Sequence, residues 1–253
     1  MSCHPALRTV LAGLLLLTSA AAQAAGPAAT ALSVSTDLYM LIAETTMVTA
    51  DQQPDEHAGR AKDILGRLQT SVPGVLSGLK DRAQADELKA QWEELLTAYE
   101  GKPFMVAFRE STYDTSLTAR YTAGSGALLM ALDEAATHEA GATPVKRVQF
   151  RALKTLSAYL LLSTGIVGGT AFSANDKDND IPSGVAAVDK GLAELKQQLA
   201  GKPEAATLQR AATRWQFLRP TLLKTSGQST PYIVYTHGLS VVQTLAQLEG
   251  GAR

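Results

Sequence analysis

The chain has a single cysteine, Cys3, in its 253 residues, and this cysteine lies in a segment that we expect to be removed. The mature chain would then have no thiol, which excludes disulfides, a cysteine nucleophile, zinc–thiolate sites and C-x-x-C-H haem attachment. Because Cys3 precedes the first apolar run instead of following it, it does not fit a lipoprotein acceptor. A chain without cross-links must be held together by packing alone.

Charge is scarce at the amino terminus, where Arg8 is the only charged side chain before Asp37. An apolar run covers Val10–Leu17, and small residues follow it, with Ala24 ending a small-x-small cleavage pattern. The pattern predicts a secretory signal peptide over residues 1–24 and a periplasmic mature protein, since the run is too short to span a bilayer. The alternative interpretation is a buried first helix.

Neither sign of charge is in excess, with 23 basic and 24 acidic residues. Removing Arg8 with the signal peptide leaves 22 and 24, a net charge of −2. This net charge is not basic enough to suggest a nucleic-acid or anionic-membrane partner. Long hydrophobic runs are also missing, because the apolar stretch Leu156–Phe172 is interrupted by serine, threonine and glycine. It predicts a buried helix, and we expect no membrane insertion of the mature chain.

Apolar residues recur along the mature chain at steps of three and four, and strand-like alternation is rare. Two stretches share the spacing 3, 4, 3, 4 with a tryptophan at the centre. They are Ala85, Leu88, Trp92, Leu95 and Tyr99, and Leu208, Ala211, Trp215, Leu218 and Leu222. Such a seam of apolar residues predicts a helix with one buried face.

Other elements recur in the same order as these seams. "YMLIAET" at Tyr39 resembles "YLLLSTG" at Tyr159, and "YTAG" at Tyr121 resembles "YTHG" at Tyr235. The order in both halves is a tyrosine helix, an amphipathic helix, a tryptophan helix and a Tyr-Thr-x-Gly helix. This repetition indicates an internal duplication.

The duplication predicts an all-α fold of tandem four-helix bundles, with about eight helices in two units, residues 25–141 and 142–253. Whether the two bundles share one core does not follow from the pattern. The expected helices are Thr30–Ala50, Glu56–Leu76, Asp81–Tyr99, Tyr113–Thr137, Pro144–Gly169, Ser183–Ala200, Pro203–Thr225 and Pro231–Leu248. Ser183 is expected to cap its helix, and Gly201 is expected to stop it.

The polar motifs do not form a known catalytic set. The chain has no H-E-x-x-H, no G-x-S-x-G, no Walker loop and no paired carboxylate and histidine set for a di-iron bundle. We therefore predict no catalytic residues, no resident metal and no cofactor. His57 and His138 lie in polar surroundings, without a carboxylate or second histidine at i, i+4 ligand spacing on a convincing helix face.

Asp176, Asp178 and Asp180 have the alternating spacing with which a calcium loop begins. Ile181 and Ala187 stand where such a loop needs a turn glycine and a bidentate glutamate. The segment is therefore interpreted as a solvated loop before a helix, with its carboxylates near the positive helix terminus.

The recurring tyrosines are the strongest candidates for a binding site. A buried tyrosine needs a partner for its hydroxyl, so the rings either pack in the core with hydroxyls at the rim or line a small-ligand pocket. His237 stands where the first copy has Ala123, and Arg120 adjoins a tyrosine and can hold an anion. The candidate ligand-binding residues are Tyr39, Tyr121, Tyr159, Tyr235, His237 and Arg120.

The tryptophan helices "LKAQWEELLTAY" and "TRWQFLRPTLL" are each followed by a last helix, "YTAGSGALLMALDEA" and "YIVYTHGLSVVQTLAQL". Their order and large residues resemble the periplasmic four-helix sensor domain of the pilus chemotaxis transducer type, related to the nitrate/nitrite sensor domains, in two copies. In that family the first helix carries an Asn-x-x-Gly stretch with arginines that contact the anion. The corresponding stretches here, "DLYMLIAETTMVTA" and "SAYLLLSTGIVGGTA", have no arginine, so no anion-binding residue carries over.

We therefore expect an exported, non-enzymatic helical protein that senses a small molecule or anion, or that binds an inner-membrane receptor or another periplasmic protein. The alternative is a periplasmic redox, cofactor-binding or enzymatic bundle that uses His237 and the repeated tyrosines. A structural or assembly factor is the third hypothesis.

Overall fold

A computed structural model describes residues 29–50, 54–100, 115–164, 180–224 and 230–250. Within these ranges the chain folds into eight helices and no strand, which confirms the predicted all-α fold. The helices are α1 (Ala31–Ala50), α2 (Pro54–Ser77), α3 (Arg82–Glu100), α4 (Thr115–Thr137), α5 (Pro144–Thr164), α6 (Ile181–Gln198), α7 (Ala205–Leu223) and α8 (Pro231–Gly250).

The start of α6 differs from the prediction made for Ser183. The helix begins at Ile181, and Asp180 occupies the N-cap position without a side-chain capping bond. Pro182 explains the earlier start, because the fixed φ of proline suits a first turn in which no amide hydrogen is needed. Helix α6 ends at Gln198 with Leu199 as its C-cap, before the predicted stop at Gly201. Gly201 follows in the turn with a φ of +75°, a conformation that glycine adopts without steric cost.

The two halves of the fold have the same order of neighbours. In the first unit, α1–α4, each helix packs against the next one and α4 returns to α1. In the second unit, α5–α8, the same ring of contacts recurs, with α8 returning to α5. An internal duplication would produce this shared order, while the boundary between residues 141 and 142 stays a prediction.

The two units share one apolar core, in which α1 packs directly against α5. Both tryptophan helices contribute seam residues to this core, and Trp92 and Trp215 are buried in it. Helix α1 is the most enclosed element, because it contacts α2, α4, α5 and α8. Its residues from Leu41 to Val48 are all buried, including Glu44. None of the described helices is both long enough and apolar enough to cross a bilayer.

The glycine of "YTHG" permits the close packing of α8 on α5. A Cβ atom on Gly238 would lie 2.4 Å from Leu156 Cδ2 and 2.6 Å from its Cδ1. Such distances are well below van der Waals contact, so only glycine fits there without displacing Leu156. The glycine of "YTHG" is therefore explained by helix packing.

Candidate functional site

A buried polar cluster is formed around Glu44, one of two acidic side chains on helix α1. Glu44 is 1% exposed. Its Oε1 accepts a 2.5 Å hydrogen bond from the hydroxyl of Tyr235, and its Oε2 lies 2.7 Å from His57 Nδ1. Arg60 Nε also donates to Oε2, at 3.0 Å. A carboxylate this deeply buried requires such partners, because removing its hydration is otherwise very costly.

Three helices supply the members of this cluster. His57 and Arg60 are three positions apart on α2, so they lie on the same face of that helix. The Tyr235 ring from α8 packs edge-on against the His57 ring, with centroids 4.9 Å apart. Glu44, His57 and Arg60 belong to the first unit and Tyr235 to the second, so the cluster joins the two units.

The proton on His57 is assigned from the geometry around Nδ1. This nitrogen lies 2.7 Å from Glu44 and 2.9 Å from Arg60 Nη2, and it cannot donate and accept at the same time. The shorter contact is with a carboxylate, which only accepts hydrogen bonds. We therefore assign the hydrogen to Nδ1, donated to Glu44, with Arg60 held beside it by the same carboxylate.

The cluster keeps Glu44 ionised and Tyr235 protonated. Burial raises the pKa of Glu44, but hydrogen bonds from His57, Tyr235 and Arg60 outweigh that effect and leave its pKa below the ordinary value. Burial and the adjacent Glu44 carboxylate together raise the pKa of Tyr235. Tyr235 therefore acts as a hydrogen-bond donor at neutral pH.

This cluster is sealed from solvent at its centre. Glu44 and His57 are each 1% exposed, and only the Arg60 side chain, 42% exposed, extends to the surface. Both carboxylate oxygens of Glu44 already hold donors. The arrangement suits a structural link between the units, and a ligand would have to displace existing bonds to use it.

A separate cavity of about 450 Å³ opens where the first unit meets the second. Asp133 of α4 lines it together with Arg151 and Lys154 of α5 and Lys190 of α6, and Phe150 contributes an apolar surface. Lys154 Nζ lies 2.9 Å from both carboxylate oxygens of Asp133, so an ion pair between the units forms part of the wall.

This cavity, which we call the mixed-charge cavity, contains charged side chains of both signs. Among the described residues, no carboxylate lies within ion-pair distance of the Arg151 guanidinium, so Arg151 offers a free cation. Asp180, exposed at the start of α6, adds a second carboxylate beside that of Asp133. Ala158 and Ile181 add to the apolar lining that Phe150 contributes. The cavity therefore offers a cation for a ligand's carboxylate, carboxylates for its ammonium group and an apolar surface for its hydrocarbon part.

The structure places the candidate residues of α8 on different sides of that helix. Tyr235 points into the buried cluster. His237 follows two positions later, so it lies on another face, and its ring packs against Phe217 with centroids 5.0 Å apart. The Tyr235 and His237 side chains therefore do not form a common site.

The tyrosines of α1 and α5 are also separate from that cluster. The Tyr39 ring packs edge-on against Phe150, and its hydroxyl lies 3.5 Å from Asp133, beside the mixed-charge cavity. The hydroxyl of Tyr159 accepts a 3.3 Å hydrogen bond from the backbone amide of Thr230. These contacts match the expectation of rings in the core and hydroxyls at its rim, and a binding role for Tyr39 and Tyr159 stays a prediction.

Several sequence candidates lie partly or wholly outside the described residues. The backbones of Arg120 and Tyr121 belong to α4, but their side chains are outside the described set, as are Asp176 and Asp178. Within the described ranges, no group of three or more histidine, cysteine, aspartate or glutamate residues is arranged to hold a metal ion.

Glu44, His57 and Arg60 were not singled out by the sequence. The polar neighbours of His57 in the sequence do not reveal its environment, because His57 itself is buried against Glu44, 13 positions earlier in the chain. The sequence did contain one sign of this polar cluster. A lone glutamate within "YMLIAETTM" cannot stay buried and ionised without donors from another helix.

No protein-family model, curated protein or solved structure matches this chain. The resemblance to the four-helix sensor domain therefore stays a prediction, and a functional argument must start from the chain's own residues.

Proposed function

We propose that the chain is an exported, non-enzymatic binding protein that takes a small ligand in the mixed-charge cavity between α4, α5 and α6. The observation that carries this proposal is the free Arg151 guanidinium in a cavity that also contains the Asp133–Lys154 ion pair. Its volume of about 450 Å³ lies within the usual range for small-molecule sites.

The side chains favour a small zwitterionic ligand of the amino-acid class. A guanidinium binds a carboxylate through two parallel hydrogen bonds, and Arg151 offers that geometry. The carboxylates of Asp133 and Asp180 suit an ammonium group, and Phe150 with its apolar neighbours suits a hydrocarbon side chain. A simple inorganic anion would use Arg151 alone and leave the rest of the cavity unfilled.

The position of the cavity supports a sensing role. A ligand there would touch Asp133 of the first unit and Arg151 of the second, so its binding energy would depend on how the two units are placed. A ligand shifts a conformational equilibrium only by its difference in affinity for the two states. A ligand held by both units meets that requirement, and an inner-membrane receptor or periplasmic protein would receive the signal.

Isothermal titration calorimetry with single amino acids, short dicarboxylates, nitrate and phosphate tests the proposal. We expect at least one amino acid to bind, and Arg151→Gln to weaken it about 10-fold or more, because a charged hydrogen bond contributes about 1.5–3 kcal/mol. Arg210→Gln, on the exposed side of α7, is the matched control and should bind as the parent does. Binding of none of these compounds, or equal affinity in the Arg151 variant, would contradict the proposal.

A further inference from the structure

Exposed apolar side chains are concentrated on α7 and α8. Six large apolar residues are exposed in the described part of the chain, and four of them lie on these two helices: Phe217, Leu223, Tyr232 and Ile233. Phe217 is 60% exposed and Ile233 is 41% exposed. Apolar side chains that share one exposed surface mark an interaction site more often than scattered single residues do.

Helix α7 carries a second seam besides the one that faces the core. The outer seam consists of Arg210, Arg214, Phe217 and Thr221, at spacings of 4, 3 and 4, and Lys224 follows three positions later as the C-cap residue. None of these residues is buried. This is the spacing at which one helix lies along another in a coiled coil. The core uses the other seam of α7, and every residue of the outer seam is at least partly exposed.

Helix α8 forms the other wall of this surface. Ile233, His237 and Ser240 follow at spacings of 4 and 3. The His237 ring packs against Phe217, and Arg214 Nη1 donates hydrogen bonds to Ser240 Oγ at 2.5 Å and Thr244 Oγ1 at 3.1 Å. These contacts with α8 fix the positions of the Phe217 and Arg214 side chains in the unbound protein. We call this surface the α7–α8 face, made of Arg210, Arg214, Phe217, Lys224, Ile233 and His237.

The charge of the α7–α8 face has one sign. Helix α7 contains three arginines and no acidic residue, and the only acidic residue of α8 is Glu249, in its last turn. Arg219 is paired with Asp189. For Arg210 and Arg214, no carboxylate of a described residue lies within ion-pair distance. The face therefore combines an aromatic centre with uncompensated cations.

We propose that the α7–α8 face docks an acidic amphipathic helix of another protein. Lys224 lies 14 positions after Arg210 in the chain. At the helical rise of 1.5 Å per residue, the two residues are about 21 Å apart along the helix axis. A partner helix of about four turns covers this length. Its carboxylates lie against Arg210 and Arg214 at one end and Lys224 at the other, and an apolar side chain packs on Phe217 between them.

A second copy of this chain is a poor occupant of the same face. A twofold dimer would bring each surface patch against itself. Arg210, Arg214 and Lys224 would then meet like charges without a carboxylate to separate them, which disfavours such a dimer. Charge complementarity favours an acidic partner, and attachment to an anionic lipid surface is an outcome that the experiment distinguishes.

Site-specific photo-crosslinking in the native cells tests this inference. A benzophenone amino acid replaces Phe217 in the full-length chain, and the same probe at Ala90, exposed on α3, is the control. We expect one protein adduct at position 217, with the cross-link mapped by mass spectrometry to an acidic amphipathic segment. Reversing both end charges, Arg210→Glu with Lys224→Glu, should lower the adduct yield about 10-fold or more, because like charges then face each other.

The remaining results would overturn the inference. They are an adduct to lipid, to a second copy of this chain or to a segment without acidic residues, the same adduct from position 90, an unchanged yield after charge reversal, and no adduct at all. Circular dichroism melting of the charge-reversed chain confirms that it folds, which is expected because both residues are exposed. Arg151→Gln should leave the adduct unchanged, so a failure here is distinguishable from failure of ligand binding.

Discussion

Tyr235 donates a 2.5 Å hydrogen bond to Glu44, a residue 191 positions earlier in the chain. The bond joins α8 of the second unit to α1 of the first, and it ends on a carboxylate that His57 and Arg60 also hold. A buried polar network stabilises a fold when all its members are satisfied and is costly when one is missing. The cluster thus makes the packing of one unit depend on the other.

Removing the Glu44 carboxylate should destabilise the protein strongly. Glu44→Ala leaves the Tyr235 hydroxyl and the His57 Nδ1–H without their acceptor and Arg60 without its counter-charge. Breaking a buried pair in this way costs about 3–5 kcal/mol. The free energy of unfolding, measured by urea denaturation at neutral pH, reports the loss.

A matched exposed carboxylate is available as the control. Glu194 on α6 is 56% exposed and lies 4.0 Å from Lys190. Glu194→Ala should change the free energy of unfolding by less than about 0.5 kcal/mol, as is usual for surface substitutions. Similar losses for the two variants would show that Glu44 is not buried in the way described.

Acid should weaken the fold through the same carboxylate. Burial raises the pKa of Glu44, but the three donors outweigh it, so the folded-state pKa lies below the ordinary value of 4.5. The stabilisation is therefore complete above about pH 4.5 and is lost as the pH falls through the lower, folded-state pKa. Urea denaturation at intervals from about pH 7 to about pH 3 measures this loss.

Glu44→Gln supplies the comparison for the acid series, because the amide does not titrate. Its free energy of unfolding should be lower than that of the parent at neutral pH and should fall less steeply below about pH 4.5. Parallel curves for the two proteins would contradict the assignment of this pH dependence to Glu44.

Tyr235 and His237 should respond differently to substitution. Tyr235→Phe removes only the hydroxyl that bonds Glu44, and a hydrogen bond to a charged group contributes about 1.5–3 kcal/mol. Tyr232→Phe, on an exposed residue of the same helix, should change stability by less than about 0.5 kcal/mol. His237→Ala loses an edge-on ring contact with Phe217, which contributes about 1 kcal/mol at most on an open surface. Thermal melts of the three variants give the order, and a larger loss for His237→Ala would reverse it.

The helices were predictable because their evidence is local. The spacing around Trp92 and Trp215 sets one apolar face per helix, and the seam residues whose side chains the structure describes are buried as expected. The start of α6 was predicted too late for a local reason. Pro182 suits a first helical turn, so the helix begins at Ile181, before Ser183. Such errors move a helix end by a turn or less and leave its packing face unchanged.

The polar cluster was not predictable because its members come from three helices. Glu44 and Tyr235 share no sequence neighbourhood, and the neighbours of His57 are polar although His57 itself is buried. The sequence does show that a buried glutamate on α1 needs donors, but not which helix supplies them. The identity of partners across a bundle depends on packing geometry, which spacing along one helix does not contain.

The last prediction concerns the repeated glycine of "YTHG". Gly238→Ala places a Cβ 2.4 Å from Leu156 Cδ2 and 3.0 Å from its Cγ, so rotating a single methyl group does not relieve the clash. Overpacking of this kind costs about 1–3 kcal/mol, against a gain of about 1 kcal/mol from replacing glycine with alanine within a helix. Gly66→Ala on α2 has open space around the new methyl group and should raise stability by about 1 kcal/mol. Urea denaturation of both variants should therefore give changes that differ by about 1–3 kcal/mol, and equal stabilisation by both would show that α5 and α8 are not packed this closely.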